Sequence, residues 1–122
     1  MYIVYMVNSI LIVDDEEIIR ESLADFFIRV KEFGVVDVAE NGNKALQMIK
    51  DNKYDAVLTD INMPEMNGIQ LVEIIREEKL ISKIFMMSGY SQNDSIIRDL
   101  SVDGYFPKPF LSIMDIIKQI KS

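Results

Sequence analysis

Apolar residues along this chain come in short runs, and the runs end in polar groups. Ile10-Leu11-Ile12-Val13 is closed by Asp14 and Asp15, and Ala56-Val57-Leu58-Thr59 by Asp60. Ile84-Phe85-Met86-Met87 is closed by Ser88, and the shorter Tyr105-Phe106-Pro107 by Lys108. Short continuous apolar runs of this kind are the pattern of parallel strands buried on both faces. Val35 to Ala39 reads as a further strand, and Asp37 between Val36 and Val38 gives it a wetter face or an edge position. Between the runs the period becomes helical. Ile18, Ile19, Leu23, Phe26, Phe27 and Val30 stripe a helix over 17–30, with Glu16 and Glu17 at its anion-favouring start. Gly34 is expected to stop that helix. Ala45, Leu46 and Ile49 mark a second helix after the turn Asn41-Gly42-Asn43, and Leu71, Val72 and Ile75 a third after the breaker-rich loop 62–68. Residues 94–100 carry only a thin apolar stripe, and Ile113, Ile116, Ile117 and Ile120 form the seam of a final helix.

Five strand–helix units with short connections predict a parallel, doubly wound α/β sheet in a single domain of 122 residues. Pro107 cannot donate to a ladder, which puts the fifth strand at an edge. Arg76-Glu77-Glu78-Lys79 reads as a solvated helix face, the eight methionines as core filler, and Gly68 as a turn or close-packing position at the third helix.

Composition narrows the chemistry. The chain has no cysteine and no histidine, which removes disulfides, thiolate nucleophiles, His-ligated metals and His-dependent triads. A net charge of −7 argues against direct nucleic-acid binding, which needs clustered Lys and Arg. No stretch is long enough to span a membrane. The opening Met1-Tyr2-Ile3-Val4-Tyr5-Met6 is apolar but lacks the basic start and cleavage site of a signal peptide, so a cytoplasmic location is expected.

In open α/β sheets the ligand crevice lies outside the C-terminal strand ends. Asp14, Asp15, Asp60, Ser88 and Lys108 should therefore converge on one patch, suited to a hard divalent cation and a phosphoryl group. An ordinary helix N-cap accounts for one aspartate of the first pair, but not for four consecutive acids, Asp14 to Glu17. Asp60 alone could be a loop aspartate bonding its own backbone. Ser88 and Lys108 alone could be plain strand termini. Their joint placement on separate strand ends is the stronger signal. Mg²⁺ favours carboxylate, phosphate and water oxygens, a carboxylate can attack phosphorus, and a lysine neutralises charge on the transferring group.

The motifs LIVDDEE at 11–17, DAVLTDINMPEMNG at 55–68, MMSG at 86–89 and GYFPKPF at 104–110 resemble those of response-regulator receiver domains of the CheY-like superfamily. The likeness covers essentially the whole chain after Asn8, in order and with the family's spacing. It implies a flavodoxin-like (βα)5 fold with strand order 2-1-3-4-5. It also implies a role for each position. Asp60 matches the phosphoacceptor, Asp15 the direct metal-binding acid, and Asp14 the acid that orients the metal or holds it through water. Asn62 matches the residue whose backbone carbonyl completes the Mg²⁺ site. Ser88 matches the switch hydroxyl, Lys108 the lysine that contacts the phosphoryl group, and Tyr105 the switch aromatic. A cis bond between Lys108 and Pro109 is expected by the same resemblance.

The resemblance further implies a signalling switch with self-catalysed phosphotransfer and dephosphorylation, and not an enzyme acting on other substrates. Its expected partners are a sensor histidine kinase or a histidine phosphotransfer protein. An output partner is expected on the face of the fourth helix, fifth strand and fifth helix, with homodimer formation on phosphorylation a further expectation. Residues 1–7 precede the usual start and read as an added strand, an interface, or an upstream start with Met6 as initiator. The chain ends where the last receiver helix should end, so no output domain is expected within it. Two rivals stand beside this reading. One is a receiver detached from a larger DNA-binding regulator or hybrid kinase. The other is a haloacid-dehalogenase-like phosphatase, which uses an aspartyl phosphate but wants a second aspartate where Asn62 stands.

Overall fold

The computed structural model describes residues 6–89, 100–110 and 112–122. The apolar runs become strands β1 (Ser9–Val13), β2 (Val35–Ala39), β3 (Ala56–Asp60), β4 (Lys83–Ser88) and β5 (Gly104–Pro107). All pair in parallel, in the order β2-β1-β3-β4-β5. This is the predicted doubly wound sheet, with Pro107 on an edge strand as expected. The helices among the described residues are α1 (Glu17–Arg29), α2 (Gly42–Asp51), α3 (Gly68–Glu77) and α4 (Ile113–Lys121). The weak helix expected at 94–100 lies almost wholly outside the described residues, as do Met1 to Tyr5.

Each face of the sheet carries its own core. Leu11, Val13, Val57, Ile84 and Met86 face α2 and α3 through Ala45, Ile49, Leu71, Val72 and Ile75. Ile10, Ile12, Leu58, Phe85 and Met87 face α1 and α4 through Leu23, Phe27, Ile116, Ile117 and Ile120. Alternate residues of one strand thus serve opposite cores, which explains why the central runs carry no polar break. β2, at the other edge, tolerates Asp37 because its carboxylate accepts a 2.6 Å hydrogen bond from the Tyr54 hydroxyl. Burial and this acidic partner both push the Tyr54 hydroxyl above its ordinary pKa.

Several local expectations change. The first helix ends at Arg29, and the left-handed residue after it is Lys31 (φ 57°), whereas Gly34 has no positive φ. Ile18, read as part of the apolar stripe, is 82% exposed. It stands in the first turn of α1, whereas the residues of that helix buried against the sheet are Leu23, Ala24 and Phe27. Arg76 is not a freely solvated side chain. Its guanidinium donates to the carbonyls of Ser82 (3.3 Å) and Ser101 (2.7 Å) and lies 3.6 Å from Asp103, tying the approaches to β4 and β5 together.

The two ends of the described chain are joined by one side chain. Lys121, the last residue of α4, donates to the carbonyls of Val7 (2.7 Å) and Glu32 (2.5 Å), and its ammonium sits 4.9 Å from the Phe33 ring centroid. Charge-assisted hydrogen bonds of this kind are each worth about 1.5–3 kcal/mol when sheltered, and less where water competes. Lys121→Met is therefore expected to destabilise the fold by about 1–2 kcal/mol, lowering the melting temperature by roughly 5 °C. Lys118→Met, on the exposed side of the same helix, serves as the control. Equal melting temperatures for the two variants would contradict this assignment.

Candidate functional site: an acidic pocket at the strand ends

The strand order reverses between β1 and β3, so the loops that follow them diverge and leave a crevice at their C-terminal ends. Asp14 and Asp15 leave β1 there, and Asp60 is the last residue of β3. One carboxylate oxygen from each of Asp14, Asp15 and Asp60 lies within 4.8 Å of the others. Asp14 and Asp60 are buried, and Asp15 is exposed at the mouth. The pocket, about 410 Å³, is lined by Asp15, Glu16, Asp60, Asn62, Gly89 and Lys108.

Backbone geometry holds these acids. Asp14 Oδ1 accepts the amide of Glu16, the N-cap of α1, at 2.8 Å, so one oxygen is committed to the helix start and the other faces the pocket. The Arg20 guanidinium donates to the Asp14 carbonyl at 3.0 Å. Behind Asp60, Gly68 opens α3 so close to the strand that a Cβ there would stand 2.1 Å from the Asp60 carbonyl oxygen. Only glycine allows that approach, and the 61–67 loop closes beneath the pocket through the Gly68 amide, which donates to the Ile61 carbonyl at 2.8 Å. Asn67 caps α3 reciprocally with Gln70.

Lys108 enters from the end of β5. Its amide donates to the Ser88 carbonyl at 2.8 Å, and its peptide bond to Pro109 is cis, as the family likeness led one to expect. The ammonium lies 2.7 Å from Asp14 Oδ2, 3.5 Å from Asp60 Oδ1 and 3.9 Å from Glu16 Oε1. Its nearest partner is thus Asp14, not Asp60. Burial alone would lower the Lys108 pKa, but the hydrogen bond to Asp14 and the charges of Asp60, Asp14 and Glu16 raise it instead. Lys108 is charged throughout the physiological range. The Asp60 carboxyl is pushed up to about 6, chiefly by burial, with Asp14 and Asp15 adding to the rise and Lys108 opposing it.

Ser88 is buried at the end of β4, and its hydroxyl accepts a 3.2 Å hydrogen bond from the Asn62 side-chain amide. Tyr105 pairs with Met86 in the β4–β5 register and packs half-buried against the α2–α3 side of the core. It stands on the strand that delivers Lys108 but does not line the acidic pocket. Reading the sequence alone missed two contributions. Glu16 is a third acid facing Lys108, after Asp14 and Asp60, a position signalled only by the acidic run after β1. The Asn62 side chain bridges β3 and β4, and no sequence pattern signals that contact.

Every donor in the pocket is an oxygen, which suits a hard cation such as Mg²⁺ and disfavours softer metals. Three clustered carboxylates leave negative charge that Lys108 alone does not balance, so the residues present fit such an ion. Beside the pocket, and sharing Glu16, Gly89 and Lys108 with it, runs a groove of about 470 Å³ walled by Ile18, Ile19, Pro109, Phe110 and Ile113.

Among the described residues, no helix is long and apolar enough to cross a membrane. The sequence profile of the response regulator receiver domain matches residues 10–121. The chemotaxis protein CheY of Halobacterium salinarum is 35% identical over 119 residues, which cover 94% of this chain and 98% of that protein. The transcriptional regulatory protein SrrA of Staphylococcus aureus is 34% identical over 119 residues, and the match takes in 96% of this chain but 48% of SrrA. This chain therefore spans about half the length of that relative. Among solved structures, the response regulator protein TrrA of Thermotoga maritima, in complex with Mg²⁺ and BeF, is 33% identical with a TM-score of 0.78, covering 93% of this chain and 98% of its own. A CheY-like receiver domain protein of Methanospirillum hungatei is 27% identical with a TM-score of 0.83, covering 93% and 90%. With the family profile running from β1 to the end of α4, and a relative matched along nearly its whole length, this chain belongs to the response regulator receiver domains of two-component signalling.

Proposed function

We propose that this receiver accepts a phosphoryl group on Asp60 from a histidine kinase or a histidine phosphotransfer protein, and that the modification switches its surface. The observation that carries the reading is the Asp60 carboxylate, 3% exposed, with Lys108, Asp14 and Asp15 around it. An Asp60 oxygen attacks phosphorus, the bond from phosphorus to the donor imidazole nitrogen breaks, and the electron pair leaves with the imidazole. Lys108 stands beside Asp60 to meet the charge on the transferring oxygens, and its hold on Asp14 fixes where its ammonium points. Asp14, Asp15, Asp60 and the backbone carbonyl of Asn62 are the residues that would hold Mg²⁺. When bound, that ion neutralises further negative charge on the phosphoryl group.

A protein donor is supported by the groove beside the pocket. Its apolar walls and the exposed Ile18 sit where a macromolecule bringing a histidine to Asp60 must pass. The same site supports an effect on output. Phosphate adds charge and strong acceptor oxygens next to Ser88, whose hydroxyl can donate to one of them by moving toward Asp60. Space vacated by that movement is filled by Tyr105, from the neighbouring strand. This biases a two-state surface that includes β5 and α4. The expected setting is the cytoplasm, where such partners meet.

Incubation with Mg²⁺ and either acetyl phosphate or a histidine-phosphorylated protein should give one acid-stable, hydroxylamine-labile acyl phosphate. Asp60→Asn should abolish it, and the Tyr105 ring resonances should shift only in the wild type. Phosphate found on a serine or threonine would overturn the assignment.

Because the folded state gathers three carboxylates that the unfolded chain keeps apart, a cation that binds them stabilises the fold by mass action. At ten times its dissociation constant the gain is about 1.4 kcal/mol, or roughly 5 °C in melting temperature for a domain of this size. Mg²⁺ should therefore raise the melting temperature, and chelation should reverse the rise. Asp15→Asn should shrink it severalfold. An undiminished rise in that variant would move the cation to another site.

A further inference from the structure

Asn62 contributes more than its backbone. Its side-chain amide donates to Ser88 Oγ at 3.2 Å, across the gap between the loop after β3 and the end of β4. Asn62 itself is exposed and lines the acidic pocket, whereas Ser88 is 1% exposed. The bond thus runs from a solvent-facing side chain to the buried hydroxyl beside the acceptor.

From this geometry we infer that the Asn62 side chain is a latch on the resting state: it holds the Ser88 hydroxyl in its unswitched position and sets how much phosphorylation must supply to move it. The inference rests on the proposed role of Asp60 and adds a regulator of that site. At 3.2 Å the contact is already at the long end of N–H···O hydrogen bonds, so a displacement of Oγ by about 1 Å breaks it. Asn62 cannot simply follow, because the residue before it is pinned by two backbone hydrogen bonds. The preceding residue, Ile61, donates its amide to the Met87 carbonyl at 3.0 Å and accepts from the Gly68 amide at 2.8 Å. Switching therefore trades the Asn62 contact for one to the phosphoryl group, and the Asn62 contact counts against the switched state.

The latch acts through Ser88, so Asn62 is a positioning residue, and a double-mutant cycle can isolate it. The probe is beryllofluoride with saturating Mg²⁺, titrated against wild type, Asn62→Ala, Ser88→Ala and the double variant. A phosphoryl mimic that favours the switched state binds more tightly when the resting state loses a stabilising contact. One hydrogen bond of ordinary strength corresponds to about three- to tenfold. Asn62→Ala should therefore tighten beryllofluoride binding by that factor in the Ser88 background and change it less than about 1.5-fold when Ser88 is already alanine. A fall in affinity, no change, or an equal gain in both backgrounds would overturn the latch while leaving the Asp60 reading intact. Absence of any Mg²⁺-dependent beryllofluoride binding in the wild type would overturn both.

Discussion

The ammonium of Lys108 stands among carboxylates that could not share a sheltered pocket without it. Its 2.7 Å contact to Asp14 and 3.5 Å contact to Asp60 neutralise part of a charge that burial makes costly. Asp14 spends its other oxygen on the amide that opens α1, so strand, helix start and lysine are locked in one arrangement. The compensation is incomplete. Asp60 is left with a carboxyl that resists ionisation, and the pocket keeps an appetite for positive charge. The proposed chemistry depends on that residual imbalance: a pocket fully neutralised by its own residues would have no use for a cation.

The imbalance has a pH signature. An acid whose folded pKa is raised keeps its proton longer in the native state than in the unfolded chain. The stability it contributes falls as pH rises from about 4, the unfolded value, through about 6, and levels off above. At neutral pH the ionised Asp60 therefore costs the fold on the order of 2–3 kcal/mol. Lys108 has the opposite sign. Its raised pKa contributes stability that is complete below the unfolded lysine value and is lost only as pH climbs through the folded one. The two effects occupy separate pH ranges, so acid titration reports on the carboxylates and alkaline titration on the lysine.

Much of this was legible in the sequence because strand burial and strand ends leave local marks. Unbroken apolar runs located β1, β3 and β4, and the acids closing the β1 and β3 runs located walls of the pocket. Pro107 marked an edge, and Gly68 marked a close approach whose partner, the Asp60 carbonyl, only the fold identifies. What was illegible depends on pairing across long sequence distances. Nothing local tells Lys108 to bond Asp14, ninety-four positions away, ahead of Asp60. Arg76 sits in a charged run that resembles any solvated helix end, yet it anchors Ser82 and Ser101. Ile18 fits the helical stripe by spacing but stays exposed and lines a groove instead.

The central claim, that Lys108 holds an otherwise unfavourable carboxylate pocket together, is tested most directly at Asp60 itself. Carboxyl-carbon NMR of cation-free protein should show Asp60 titrating with a midpoint near 6 in the wild type. In Lys108→Met the midpoint should move higher, since the charge that opposes the rise is gone. A wild-type midpoint near the ordinary value of about 4, or one that Lys108→Met leaves in place, would contradict the account.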